Sequence, residues 1–217
     1  MLRTLFGPAR KRERSIRKAI QSWEKRDYSE YSPQFIKERM FRKHGVDRAQ
    51  WVETGTYLGT TTQYLAELSP FVHSIEPEPE LHRKASERFA GRNVKIHNGT
   101  SEEIMPDLLA SLSGDINFWL DGHYSAGITF RGENDCPIVQ ELAAISNNLD
   151  QFASVSILID DVRCFLPENY EQYRYPDISE LIAWANRHQF SWRIEHDIFV
   201  MKRTAAPLLP NVKLASF

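Results

Sequence analysis

Val52-Glu53-Thr54-Gly55-Thr56-Tyr57-Leu58-Gly59-Thr60-Thr61-Thr62 runs from an apolar strand-like segment through two glycines into a threonine-rich helical start. That order of strand, Gly-containing turn and helix decides the fold class. Gly55 and Gly59 let the backbone approach a ligand closely and leave the first amide groups of the following helix open. A dinucleotide-binding turn would read G-x-G-x-x-G. Here the spacing is G-x-x-x-G, with the acidic Glu53 two residues ahead of it. A carboxylate there repels pyrophosphate and accepts a hydrogen bond from a ligand amino group, directly or through water, which favours a cationic or zwitterionic ligand. The same stretch also reads as a plain strand-to-helix turn in which Gly55 only supplies a positive φ.

On either side of this turn, short apolar runs alternate with helical stretches, the pattern of an α/β protein with a parallel, doubly wound sheet. Strands are expected near Gln50 to Glu53, Phe71 to Glu76, Asn93 to His97, Ile116 to Asp121 and Val155 to Asp160. Helices are expected at Gly59 to Leu68, Glu78 to Phe89, Glu102 to Leu112 and Pro137 to Leu149, with Pro106 delaying the start of the third. The turn Tyr175-Pro176-Asp177 precedes a helix from Ile178 to His188. Phe190 to Glu195 and Ile198 to Met201 flank His196-Asp197, a two-residue connection suited to an antiparallel hairpin. The sheet is thus expected to be mostly parallel with an antiparallel final strand.

Two N-terminal helices precede it. Ile16, Ala19, Ile20 and Trp23 fall at helical spacing within Arg10 to Arg26, and Ser32-Pro33 opens a second helix that runs to about His44 and stops at Gly45. The expected organisation is a basic helical arm over 1–47, a catalytic-type domain over 48–203 and a tail over 204–217.

Composition bounds the function. The 217 residues suit one domain with additions, and 41% hydrophobic residues supply a core. The 27 basic and 29 acidic side chains give a net charge of −2, which argues against sequence-independent binding of nucleic acid. That sum hides an asymmetry: residues 1–48 carry 14 basic and 6 acidic groups. The basic arm reads as a solvated helix, a contact for an anionic substrate or membrane surface, or a contact for a partner or a second copy of the chain. Cys136 and Cys164 are too few for a disulfide scaffold and lack zinc-site spacing, which fits a reducing compartment. The opening lacks a secretory signal, no apolar run reaches membrane-spanning length, and a cytoplasmic location is expected.

Two further signals lie at expected strand ends. Ser74-Ile75-Glu76-Pro77 sets an acid 23 residues after Glu53, where a doubly wound sheet binds ribose hydroxyls, although Glu76 equally suits the dipole of the next helix. Asn98-Gly99-Thr100-Ser101-Glu102-Glu103 offers short polar groups to an adenine ring, and Thr100 or Ser101 equally caps a helix. In this order the features resemble the class I S-adenosylmethionine (SAM)-dependent methyltransferases, over roughly 48–203. That resemblance implies a Rossmann-like sheet with Glu53, Gly55, Thr56 and Gly59 around the methionine end of SAM, Glu76 at the ribose and Ser101 near the adenine.

The fourth and fifth strands end in acids. Asp121, in Leu120-Asp121-Gly122-His123-Tyr124, and Asp160-Asp161 are 39 residues apart, yet the carboxyl ends of strands meet in the crevice of an open α/β sheet. Three carboxylates together repel, which a raised pKa or a divalent cation relieves, and an all-oxygen set favours Mg²⁺, Mn²⁺ or Ca²⁺. The bland reading makes them turn and strand-capping residues. The pattern looks like that of metal-dependent O-methyltransferases, especially the macrocin O-methyltransferase-like sugar enzymes, and implies Asp121, Asp160 and Asp161 as metal ligands. The departure is His123, which stands where that family has a second acid, so Asp121 and His123 are both candidate bases. Ser125 to Cys136 reads as a loop over the crevice, and Asn169 to Tyr175 as a tyrosine-rich wall for an acceptor, or both as ordinary surface loops.

The resulting expectation is O-methylation of a small hydroxylated acceptor, a sugar or other metabolite, with SAM as cofactor and a divalent cation as aid. A nucleotide-dependent oxidoreductase and a non-catalytic SAM-binding or scaffold protein share the same sheet and stay open at this point.

Overall fold

A computed structural model describes residues 7–28, 32–122, 136–169 and 175–204. Helix α1 (Gly7–Glu24) and α2 (Gln34–His44) lead into an alternating series: β1 (Gln50–Thr54), α3 (Thr60–Leu68), β2 (Val72–Glu76), α4 (Pro79–Arg88), β3 (Val94–Asn98), α5 (Ser101–Ala110) and β4 (Gly114–Leu120). Then come α6 (Ile138–Ser146), β5 (Phe152–Ile159), α7 (Ile178–Arg187), β6 (Ser191–Glu195) and β7 (Ile198–Thr204), with 3₁₀ turns at Leu149–Gln151, Val162–Phe165 and Pro167–Asn169.

The strands form one sheet in the order β3-β2-β1-β4-β5-β7-β6. The first five are mutually parallel. β7 runs antiparallel to both of its neighbours, so among the described strands it is the reversed one, and it lies inside the sheet between β5 and β6. The expected hairpin is present, and His196 (φ 53°) and Asp197 (φ 64°) both take the left-handed conformation that a two-residue turn between twisted strands demands.

Alternation along the strands divides the core into two layers. Val52, Phe118, Leu120, Ile157 and Phe199 face α5, α6 and α7, while Trp51, Trp119, Leu158 and Val200 face α2 and α3. Both faces are therefore covered, as a parallel sheet requires. Helix α2 is part of the second layer: Ile36, Met40 and Phe41 are buried, and the Phe41 ring meets Trp51 edge-on at 5.4 Å and Trp119 at 4.8 Å between centroids. By contrast, α1 exposes Arg10, Lys11, Arg14 and Lys18 along one shallow concavity. No helix among the described residues is long and apolar enough to cross a membrane.

Local details refine the expectations. Pro106 does not delay α5, because Thr100 and Glu103 form a reciprocal capping box that starts the helix at Ser101 and leaves Pro106 in its second turn. Gly45 ends α2 as expected, in an extended conformation (φ −60°, ψ 147°). The reason for glycine there is space: a Cβ would meet the Phe41 carbonyl oxygen at 2.7 Å and the Trp51 ring at 2.9 Å. Asp121 and Asp160 stand just beyond β4 and β5 rather than within them.

Candidate active site

Backbone bonds carry the ladder past the strand ends and build one rim. Gly99 N–H donates to the Glu76 carbonyl, Gly55 and Thr56 N–H to Ile75, Asp121 N–H to Thr54 and Asp160 N–H to Leu120, at 3.1 to 3.3 Å. The carboxyl ends of β3, β2, β1, β4 and β5 are thereby stitched side by side, which brings Glu53, Glu76, Asp121, Asp160 and Asp161 to the same edge despite their separation in sequence.

The turn after β1 is tightly held. Gly55 (φ +84°) lies so close to β4 that a Cβ would fall 2.4 Å from the Asp121 carbonyl oxygen. Gly59 (φ +70°) precedes α3, which has no side-chain cap at its N-terminus. Between them Tyr57 also has a positive φ of 48°, an uncommon state for an aromatic residue. Its N–H donates to Glu76 Oε2 at 2.7 Å, and Glu78 N–H donates to Glu76 Oε1 at 3.0 Å. Glu76 thus clamps the turn from the end of β2. Burial pushes its carboxyl pKa up, and the two amide bonds oppose the shift.

Behind the turn lies a fully buried polar network. Glu53 Oε2 accepts from Thr62 Oγ1 and Ser74 Oγ, both at 2.6 Å, and Ser74 Oγ also pairs with Thr56 Oγ1 at 2.6 Å. Glu53 Oε1 has no hydrogen-bond partner among the described residues. Burial raises the Glu53 pKa to about 8, against the pull of the two hydroxyl bonds. Ser101 is buried as the first residue of α5, with Thr100 rather than Ser101 as the cap.

At the other end of the rim, carboxylate oxygens of Asp121, Asp160 and Asp161 lie within 4.8 Å of one another. Lys37, from α2, reaches into the middle of them. Its Nζ donates to Asp160 Oδ2, stands 3.6 Å from Asp121 Oδ2 and lies 5.3 Å from the Trp119 ring centroid. Burial by itself would lower the Lys37 pKa, but the combined attraction of Asp121, Asp160 and Asp161 outweighs it, so the ammonium stays charged. For buried Asp160, desolvation and then the charge of Asp121 push the carboxyl pKa up, with Lys37 acting against them. Asp161 has a left-handed φ of 56°, and its Oδ1 accepts from Arg163 at 2.7 Å. Arg163 also pairs with Asp197 in the hairpin turn.

The three oxygens suit a divalent cation by type and spacing, but a lysine ammonium already occupies their midst and opposes an ion placed beside it. At an effective dielectric constant near 20, a doubly charged ion about 4 Å from an ammonium is repelled by about 8 kcal/mol. Lys37 and Arg163 already offset two of the cluster's three negative charges. Neither was singled out in the sequence. Lys37 had a readable signal, since Met40, Phe41 and His44 follow it at i+3, i+4 and i+7 and place it on the apolar face of α2. Arg163 carried no local signal. The candidate base His123, residues 125–135 of the crevice loop, and residues 170–174 of the tyrosine-rich wall lie outside the described residues.

No protein-family model and no curated protein sequence matches the chain. Solved structures share its fold. A methyltransferase from Geobacter sulfurreducens is similar at 12% identity over 88% of this chain and 88% of that one, with a TM-score of 0.53. The 23S rRNA methyltransferase ErmE aligns at 15% identity over 84% of this chain and 72% of that one, with a TM-score of 0.52. A putative rRNA methylase from Clostridium thermocellum aligns at 8% identity over 80% and 97%, with a TM-score of 0.50. At such identities the likeness is one of fold, the Rossmann-like fold used by methyltransferases.

Proposed function

We propose that this chain is a SAM-dependent methyltransferase acting on an oxygen of a small hydroxylated acceptor. The observation that carries the reading is the rim itself: acids at the ends of β1, β2 and β4 are aligned by consecutive backbone hydrogen bonds beside an uncapped helix N-terminus. The donor set fits the cofactor. The open amide groups of α3 suit a carboxylate, Glu53 Oε1 is a buried acceptor without a partner among the described residues that suits an amino group, and Glu76 lies where ribose hydroxyls bind in a doubly wound sheet.

The bound cofactor supplies a methyl group activated on a sulfonium. What the chain supplies is position and charge. The clamp of Glu76 on Tyr57 N–H holds the turn, so the methyl donor and the acceptor oxygen are oriented before reaction, which is the main source of rate in such a transfer. Asp121, a quarter exposed at the rim, accepts the acceptor's hydroxyl proton. Lys37, which contacts Asp160 and stands 3.6 Å from Asp121, supplies positive charge at the acidic end of the rim.

Native mass spectrometry of the purified protein tests the proposal. Co-purified S-adenosylhomocysteine or SAM at one molecule per chain is expected, and a bound dinucleotide in its place would refute it in favour of an oxidoreductase.

A further inference from the structure

We propose that Lys37 is a built-in counter-cation that takes the place of a divalent metal among Asp121, Asp160 and Asp161, making the site metal-independent and completing it with a residue of α2. The charge geometry supports the assignment from three sides. The Lys37 ammonium contacts Asp160 directly and lies 3.6 Å from Asp121, so it spans the ends of β4 and β5 as a bridging ion would. Asp161 is held by Arg163, which is anchored in turn by Asp197 of the hairpin. The lysine is also fixed rather than solvated: its side chain is 19% exposed and lies near the face of buried Trp119. A flexible surface lysine would exchange with a metal ion at little cost. This one springs from a helix whose Met40 and Phe41 are locked in the core, which fixes its backbone beside the acids.

Its role in the reaction would be that of a positioning residue. A fixed single charge holds Asp121 at the rim and keeps Asp160 from repelling it, so the carboxylate that faces the acceptor keeps its place whether or not a divalent ion is available. This functional meaning rests on the methyl-transfer reading. The occupancy of the acidic centre by Lys37 does not.

The test is electron paramagnetic resonance of Mn²⁺ titrated into the 217-residue chain, unaltered and as Lys37→Met, with circular dichroism to confirm that the variant is folded. The wild-type protein is expected to leave the six-line signal of aqueous Mn²⁺ undiminished into the millimolar range. Lys37→Met, freed of the ammonium, is expected to bind one Mn²⁺ per chain at least ten-fold more tightly, and Asp160→Asn added to that variant is expected to abolish the gain. Lys37→Arg, which keeps the charge, should remain silent like the wild type. One tightly bound Mn²⁺ in the wild type that is lost with Asp160→Asn overturns the proposal. So does silence in folded Lys37→Met, since the carboxylates would then not be a cation site at all. If Lys37→Met fails to fold, Lys37→Gln is used in the same titration, and the wild-type spectrum still decides whether an ion enters. Calorimetric titration with S-adenosylhomocysteine on the same samples separates the two ideas: loss of that binding removes the methyl-transfer reading and leaves the Mn²⁺ result standing.

Discussion

Replacing Gly55 with alanine probes the contact that ties the ligand-side turn to the acidic rim. Two costs combine. At φ +84° an L-residue is disfavoured by about 1 to 2 kcal/mol, partly offset by about 0.4 to 1 kcal/mol of lost freedom in the unfolded chain. The new Cβ would also lie 2.4 Å from the Asp121 carbonyl oxygen and 3.0 Å from its carbon. Both are backbone atoms, held by the bond from Asp121 N–H to Thr54 at 3.3 Å, so the clash cannot be relieved by a rotamer change. Overpacking of this kind costs about 1 to 3 kcal/mol, giving a loss near 3 kcal/mol in all. Gly91 is the control: its φ is +73°, but no heavy atom lies within 4 Å of a Cβ there. Gly91→Ala should lose about 1 kcal/mol or less, the backbone cost alone. Urea unfolding of both variants at a common m-value gives the difference directly. Equal midpoints for Gly55→Ala and Gly91→Ala would refute the steric argument and, with it, the account of how the turn and Asp121 are held together.

Other consequences concern the buried network and α2. Glu53 titrates near 8 when folded, well above its ordinary range, so the folded state binds the proton more tightly than the unfolded chain. Its contribution is full below about pH 4.5 and is lost as pH rises toward 8. Glu53→Gln should therefore gain stability relative to wild type across that window, and a pH-independent difference in unfolding free energy would disprove the assignment. Ser74→Ala removes hydrogen bonds to Glu53 and Thr56 and is expected to destabilise by about 1 to 3 kcal/mol; thermal or urea midpoints that match wild type would count against the network. Phe41→Ala should cost about 3 to 5 kcal/mol if α2 belongs to the core, and a loss below about 1 kcal/mol would mean that α2 detaches without consequence.

The fold was largely legible because its signals are local. Five apolar runs bounded by glycine, proline or helix-capping residues located the parallel strands, and His196-Asp197 located the hairpin. Misplaced details arose where one local rule met another: Pro106 argued for a late start to α5, but the Thr100–Glu103 box prevailed. The site was legible as a set of acids at strand ends, since strand polarity alone gathers Asp121 and Asp160. Their partners were not. Lys37 is 123 residues from Asp160, and a lysine in a charged helix reads as solvated unless its place on the apolar stripe is weighed. The sequence offers Glu53 to a ligand amino group but does not reveal that its other oxygen is bound by Thr62 and Ser74, contacts that exist only once α3 and β2 flank β1.

The central claim is that the rim formed by Glu53, Glu76 and Asp121 binds SAM. Isothermal titration of the wild-type protein and of Glu76→Ala with S-adenosylhomocysteine tests it most directly. The account predicts one saturable site per chain, weakened at least ten-fold in Glu76→Ala and unaffected by excess NAD(H). No binding to the wild type, or competition by NAD(H), would contradict it.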